Sequence, residues 1–262
     1  MTVRPLRVVI TGASSGIGAA LAQRYAREGA IVGLIARREV ALREVAATLD
    51  ATHAVYACDV RDAGAMRAAA ADFIARHGCP HVVIANAGVS YGTLTELPED
   101  YEAFRAVMDI NVGGLVTTFQ PFIEPMRAAR GGTLVGIASV AGYRGLPGAE
   151  AYCASKAAAI SYLESLRVRL STSGIRVLTI SPGYIDTPLT RGNPYPMPFL
   201  LTAQAAAEKM VRAIDSGSSY TVLPWQMAIL ARLLRLVPNR LYDRVLARAP
   251  HKPRLRSPLT PR

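Results

Sequence analysis

Tyr152 and Lys156, four residues apart in the run Tyr-Cys-Ala-Ser-Lys, are the side chains best placed to do chemistry. On a helix such a pair shares one face, one turn apart. A free tyrosine, with a pKa of about 10, is a poor proton donor or acceptor at neutral pH. A lysine cation beside it favours the phenolate. Bringing the phenol to about 7 corresponds to about 4 kcal/mol. The same two residues would also suit a solvated helix face, so their meaning depends on what surrounds them.

Several other groups could share a crevice with that pair. Ser139 ends an apolar run, Thr133 to Ala138, and can point its hydroxyl past a strand end. Thr11-Gly-Ala-Ser-Ser-Gly-Ile-Gly18 follows a short apolar run from Arg7 to Ile10 and opens a helical pattern, about Ile17 to Glu28. A strand, a glycine turn and a helix N-terminus together make a phosphate site, because glycines admit close approach and the first turn offers free N–H groups. A glycine turn alone serves packing as readily as binding. The strand Ile31 to Ile35 ends in Ala36-Arg37-Arg38, where an acidic residue would hold the ribose of NAD and arginines suit a 2′-phosphate. These arginines could equally open the next helix in solvent. Asp59, after the strand Thr52 to Ala57, could bind adenine or cap the helix starting near Asp62. Asn111, followed by Gly113 and Gly114, weakens a long helical region predicted from Glu99 to Arg127. It marks either a packing kink or an amide placed to bind water or substrate.

The elements that must position these groups alternate strand and helix. Further strands are expected at Pro80 to Ala85, ending in Asn86-Ala-Gly88, at Ile175 to Ile180, and at Tyr220 to Leu223. The helix carrying Tyr152 and Lys156 is expected to run to about Ser173 and stop at Gly174. Such an alternation predicts an α/β protein with a doubly wound parallel sheet of seven strands. Ligands of such sheets lie across the C-terminal strand ends. Residues 188–201, with four prolines, Tyr195, Met197 and Phe199, read as a covering loop or a stiff connector.

Charge divides the chain unevenly. Of the net +11, +8 lies in residues 221–262, where nine basic residues face the single acid Asp243. Only Lys156, Lys209 and Lys252 are lysines; the other 27 basic residues are arginines, as codon bias would produce. Nucleic-acid binding is disfavoured, since no aromatic-basic platform accompanies the charge. Cys58, Cys79 and Cys153 lack metal or disulfide spacing, so no metal is expected. Arg4 and Arg7 lead straight into the first strand, which argues against a signal peptide. No apolar run reaches the ~20 residues of a membrane span. A reduced, cytoplasmic protein is expected.

In order and spacing, Thr11-Gly12-xxx-Gly16-x-Gly18, Asp59, Asn86-Ala87-Gly88, Asn111, Ser139, Tyr152-xxx-Lys156, Pro182-Gly183 and Thr187 resemble the single-domain branch of the short-chain dehydrogenase/reductase family over about residues 7–225. The resemblance implies a Rossmann-type fold and NAD(P)(H)-dependent interconversion of a carbonyl and a secondary alcohol. It makes Tyr152 the general acid/base and Lys156 both its partner and a holder of the nicotinamide ribose. Ser139 would bind the substrate oxygen, and Asn111 would hold a water of the proton relay. Gly12, Ser14, Ser15, Gly16, Ile17, Gly18, Arg37, Arg38, Asp59, Val60, Asn86, Ala87, Gly88, Tyr152, Lys156, Pro182, Gly183, Ile185 and Thr187 would contact cofactor. Arg37, with no acid at position 36, implies NADP(H) over NAD(H). Substrate candidates are Ser90, Tyr91, Tyr143, Leu146, Tyr184, Tyr195 and Phe199. A homodimer or homotetramer is implied, commonly through the helices near 99–128 and 151–173, the latter lined by Ala154, Ala157, Ala158 and Ala159.

Other functions stay open: a catalytically silent nucleotide-binding scaffold, a sugar- or polysaccharide-pathway dehydrogenase, or a 3-oxoacyl carrier-protein reductase. The last usually continues Asn-Ala-Gly with Ile-Thr-Arg-Asp, where this chain has Val89-Ser90-Tyr91-Gly92. Residues 1–224 are expected to form the cofactor-binding and catalytic domain. Residues 225–262 form an extension similar to that of reductases resembling 11β-hydroxysteroid dehydrogenase, with amphipathic helices over 225–249 and a flexible basic tail from His251. Three fates are open to those helices: packing over the pocket, against a subunit, or on the inner face of an anionic membrane.

Overall fold

A computed structural model describes residues 5–254. Its seven-stranded sheet is parallel throughout and ordered β3-β2-β1-β4-β5-β6-β9. The strands are β1 (Arg7–Thr11), β2 (Ile31–Ala36), β3 (His53–Ala57), β4 (Val82–Ala85), β5 (Gly132–Ile137), β6 (Ile175–Pro182) and β9 (Tyr220–Leu223). Each expected strand is present, with ends within two residues of the sequence reading. The helices are α1 (Gly16–Ala26), α2 (Glu39–Ala46), α3 (Ala63–His77), α4 (Tyr101–Met108), α5 (Gly114–Ala128), α6 (Glu150–Arg169), α7 (Ala203–Asp215), α8 (Trp225–Leu236) and α9 (Asn239–Leu246).

Strand side chains alternate between two buried layers, as the two-residue period requires. Val8 and Ile10 join Leu21, Tyr25 and Met210 of α1 and α7 on one face. Val9 and Val83 join Phe73, Phe119, Phe122 and Leu163 of α3, α5 and α6 on the other. One close approach bears directly on the chemistry. A Cβ at Gly136 on β5 would sit 2.4 Å from the Leu163 side chain of α6. The missing side chain therefore lets the helix of Tyr152 and Lys156 lie directly on the sheet.

Four features depart from the sequence reading. The long helix expected from Glu99 to Arg127 is broken into α4, a π-helical turn Asp109–Gly113 and α5. The wide turn surrounds Asn111, whose side chain bonds outside the helix instead of facing solvent. The helix expected to reach Ser173 ends at Arg169, and Gly174 (φ 79°) lies beyond a further turn. The proline-rich loop is bracketed by a short parallel pair, β7 (Ile185–Asp186) with β8 (Leu201–Thr202). The tail is not free where it is described. Gly92 N–H donates to the Pro253 carbonyl (2.9 Å), and Arg254 grips the buried Asp100 at 2.8 and 2.9 Å. The expectations for Arg4 and for the tail beyond Arg254 lie outside the described residues.

Candidate active site

The strand order reverses direction between β1 and β4, which opens a crevice at their C-terminal ends. Thr11 and Asn86 build its floor. The Thr11 hydroxyl accepts from the N–H groups of Asn86 (3.1 Å) and Ala87 (3.2 Å), and the Asn86 amide donates back to the Thr11 carbonyl (3.0 Å). Gly12 has φ +67°, and a Cβ there would lie 2.8 Å from the Ala87 backbone. This turn therefore needs glycine for both conformation and space. Ser15 begins α1 without capping it by its own side chain, leaving first-turn N–H groups for a ligand.

A cleft of about 480 Å³ runs from that turn to the Tyr152 helix. It lies within the ~300–1,000 Å³ of ordinary ligand pockets. Every candidate cofactor or catalytic residue named from sequence lines it except Gly18 and Asn111. Gly18 sits behind the turn, where a Cβ would meet the Gly12 carbonyl at 2.3 Å. Its part is to let the turn close on the helix. Asn111 is 2 % exposed and its amide makes three hydrogen bonds. Oδ1 accepts from Val89 N–H (2.8 Å), while Nδ2 donates to the Val89 carbonyl (2.9 Å) and to Ser155 Oγ (3.0 Å). The side chain pins the segment after Gly88 to the Tyr152 helix. Asn111 is a positioning residue in this geometry.

At the far end, Arg38 donates to Ser14 Oγ (3.3 Å) and Ser15 Oγ (3.2 Å). Arg37, the residue singled out from sequence, lies 4.0 Å from Asp59 and is half exposed. The Asp59 carboxylate is occupied by Arg61, through its backbone N–H at 2.9 Å and its guanidinium at 2.7 and 3.1 Å. Arg61 thereby holds Asp59 below the usual carboxylate range. The α3 cap is Asp62, which accepts from Gly64 and Ala65 N–H.

At the catalytic end, Lys156 is 6 % exposed and donates to the Ile137 carbonyl (2.9 Å). Burial pulls its pKa down to about 8. Its ammonium lies 5.8 Å from the centre of the Tyr152 ring. Burial holds the Tyr152 phenol above its ordinary value, with the neighbouring Ser139 hydroxyl opposing that shift. The geometry thus differs from the sequence expectation of a phenol drawn towards neutrality by Lys156. The ammonium is turned to a carbonyl, and desolvation is the largest influence on the phenol. A neutral, proton-bearing tyrosine is the result.

A second cavity, about 170 Å³, meets the cleft at Ser139, Tyr152, Gly183, Leu189 and Thr190. Tyr143, Leu146, Tyr184 and Tyr195 line it as expected. Ser90, Tyr91 and Phe199 do not. Ser90 is buried elsewhere, and Phe199 is half exposed with φ 58°. Its outer wall comes from α8, through Met227, Leu230, Ala231 and Leu234, and from Tyr242 and Lys252. Contacts from distant positions help to hold that wall. The Arg144 guanidinium bonds the Leu234 and Val237 carbonyls at the end of α8 and lies 3.7 Å over the Tyr242 ring. Tyr242 Oη donates to the Gly145 carbonyl (2.6 Å). Packing over the pocket was one of the three fates the sequence left open for the helices over 225–249, and the inner face of α8 and Tyr242 do line the cavity; Lys252, assigned to a flexible tail, is the lining residue that the sequence reading missed. Among the described residues no group of His, Cys, Asp or Glu is arranged to hold a metal.

Residues 7–195 match the family model described as short chain dehydrogenase. The chain belongs to the short-chain dehydrogenase/reductase family, whose members are oxidoreductases that bind a nicotinamide cofactor. A Myxococcus xanthus (strain DK1622) protein named "Uncharacterized oxidoreductase" is 39% identical over 238 residues, 90% of this chain and 94% of that one. A short chain dehydrogenase from Burkholderia cenocepacia J2315, solved in complex with NADP, is similar with a TM-score of 0.80 and 26% identity, covering 94% of this chain and 99% of that one. A short chain dehydrogenase from Mycobacterium paratuberculosis bound to NAD gives a TM-score of 0.74 at 25% identity, over 83% of this chain and 95% of that one.

Proposed function

We propose that this enzyme interconverts a carbonyl and a secondary alcohol with NADP(H), using Tyr152 as general acid/base. The observation that carries this reading is that Ser139 and Tyr152 line both the dinucleotide cleft and the apolar cavity. A substrate oxygen held at that junction meets both hydroxyls while its carbon faces the cleft. When bound, the nicotinamide supplies the hydride in reduction and takes it in oxidation. Ser139 Oγ holds the carbonyl oxygen, and the neutral Tyr152 phenol gives it a proton as negative charge builds there. Lys156 remains largely cationic at neutral pH and is placed to hold ribose hydroxyls beside the phenol. Asn111 keeps Val89 and the Tyr152 helix in register.

The cleft fits a dinucleotide by its own features: the uncapped start of α1, the glycine approach at Gly12, and the absence of an acid at Ala36. Arg38 with Ser14 and Ser15 is the preferred 2′-phosphate corner, with Arg37 at its edge. NADPH oxidation over a ketone panel, with Tyr152→Phe as control, tests the reading. Unchanged turnover in that variant on any true substrate would sink it.

Two surfaces suit partners. Ala154, Ala157, Ser161 and Val168 present an exposed, mostly small-residue stripe on α6, suited to close pairing with a second copy. Ala158 is half-buried and Ala159 lies in the core, so the alanine stripe is narrower than the sequence implies. On α8 and α9, Trp225, Ile229, Leu233, Leu241 and Val245 are exposed beside Arg232, Arg240 and Arg244. That combination suits the surface of an anionic bilayer, reached peripherally. No helix among the described residues is long and apolar enough to cross one. Sedimentation velocity and low-salt co-sedimentation with phosphatidylserine vesicles test the two surfaces. A monomer in the first, or no binding in the second, removes the corresponding surface.

A further inference from the structure

Lys252 is the unexplained charge in the substrate cavity. It lies in the strap that runs from α9 back across the molecule. Either side of it is fastened: His251 packs where a Cβ on Gly148 would fall, Pro253 accepts from Gly92, and Arg254 clamps Asp100. Between those anchors the Lys252 side chain turns inward, with its ammonium 5.5 Å from the centre of the Tyr152 ring. Among the described residues no carboxylate pairs with it, although twelve ion pairs occur elsewhere. The cavity it lines is mostly apolar and tyrosine, with Ser139, Thr190, Asn193 and the carbonyl-bound Arg144 as its other polar side chains and no carboxylate. A half-buried cation without a counter-charge is costly to hold. Ion pairs on the outer surface use arginine; this site uses one of only three lysines in the chain.

We propose that Lys252 is the anion-recognition residue of the substrate cavity, and that the compound reduced here is an oxo acid. Its carboxylate would sit on Lys252, a few bonds from the carbonyl held by Ser139 and Tyr152, with its apolar body against Leu146, Met227, Leu230 and Leu234. This deepens the oxidoreductase reading and rests on it. Lys252 is the one cation of the lining not already engaged by carbonyls, since Arg144 donates to Leu234 and Val237, and a single free ammonium suits a carboxylate better than a phosphate, whose extra charge and oxygens would need more donors. The carboxylate takes no part in the bond changes. In the reduction the carbonyl carbon would gain a hydride from NADPH and its oxygen the Tyr152 proton, giving a hydroxy acid and NADP⁺, and the Tyr152 phenolate would regain its proton from solvent.

The test uses benzoylpropionate and its methyl ester, a matched pair that differs in one charge. Wild-type enzyme should prefer the acid through KM. Lys252→Met should raise KM for the acid about ten- to a hundredfold, the range for a hydrogen bond to a charged group, while the ester and NADPH affinity stay unchanged. Wild-type pH dependence gives a readout that needs no variant. Burial pulls Lys252 down to about 8. Its cationic form is lost as pH rises through that value, so KM for the acid should climb there and KM for the ester should not. The groups facing Lys252 do not confuse this reading. Burial pushes Tyr152, Tyr242 and Cys153 up and Tyr195 up to about 12, and Arg144 is engaged by carbonyls. Lys156 also titrates near 8, but would affect both probes alike. Equal KM values for acid and ester in wild type, or equal losses in Lys252→Met, would overturn the inference and leave the reductase standing. If neither probe is turned over, calorimetry with the NADP⁺-loaded protein decides. Tighter binding of the acid, lost in Lys252→Met, supports Lys252 and leaves the reductase reading to the ketone panel; no preference overturns the inference.

Discussion

The two ends of the active site are built by different means. The cofactor end is made of backbone: strand ends, a glycine turn and a helix N-terminus, tied together by Thr11 and Asn86. The substrate end is made of side chains reaching distant carbonyls, such as Arg144 to Val237 and Tyr242 to Gly145. Backbone geometry follows from the parallel sheet and leaves few residue choices. Side-chain latches can be exchanged singly without disturbing that sheet. The chemistry lies where the two meet, at Ser139 and Tyr152, so one reaction centre can serve different substrates by altering only the outer wall.

The comparison is broken most severely at the junction. Tyr152→Phe removes only the proton donor, and the loss in kcat should reach about 10²–10⁴-fold, the usual contribution of general acid catalysis. NADPH affinity, measured by fluorescence titration, should change little. A parallel loss of cofactor binding would show that the phenol belongs to the backbone-built end as well.

Cofactor choice tests the first end by itself. Arg38→Ala should weaken NADPH by about 1.5–3 kcal/mol, the range for a charge-assisted hydrogen bond, and leave NADH nearly unaffected. Arg37→Ala should cost less, because Arg37 is half exposed and leans towards Asp59. If Arg37→Ala proves the more damaging, the assignment of the 2′-phosphate corner reverses.

This contrast also explains what could be read from the sequence. The strands and the glycine turn show themselves through local patterns of period and spacing. Tyr152 and Lys156 are legible because four residues on a helix fix a geometry. Arg38 was not separable from Arg37, since neighbouring side chains at a strand end differ only in which way the chain turns. The Asn111 turn was visible as a weakness in a helix, but its amide partners lie on another loop. Lys252 was hidden most deeply. A proline- and arginine-containing tail has the composition of solvated chain, and its fastening to Gly92 and Asp100 joins positions more than 150 residues apart.

The smallest expected effect concerns that fastening. Arg254 makes two hydrogen bonds to the buried Asp100, which also accepts from Leu94 N–H at 2.9 Å. Arg254 holds the Asp100 carboxyl below the usual carboxylate range. A lowered carboxylate pKa means that the pairing is intact at neutral pH and is lost only as pH falls through that lowered value. Because Arg254 itself remains in contact with solvent, Arg254→Ala should raise substrate KM at neutral pH by no more than about fivefold, as for an ion pair open to water. NADPH affinity and kcat should not move, since Asp100 keeps its backbone donor and the cleft lies elsewhere. Lowering the pH of the wild type should reproduce the KM increase only below the ordinary carboxylate range, and high salt should reproduce part of it at neutral pH. An effect of Arg254→Ala on NADPH affinity equal to that on substrate KM would mean that the strap braces the whole crevice, and the division between the two ends would fail at this point.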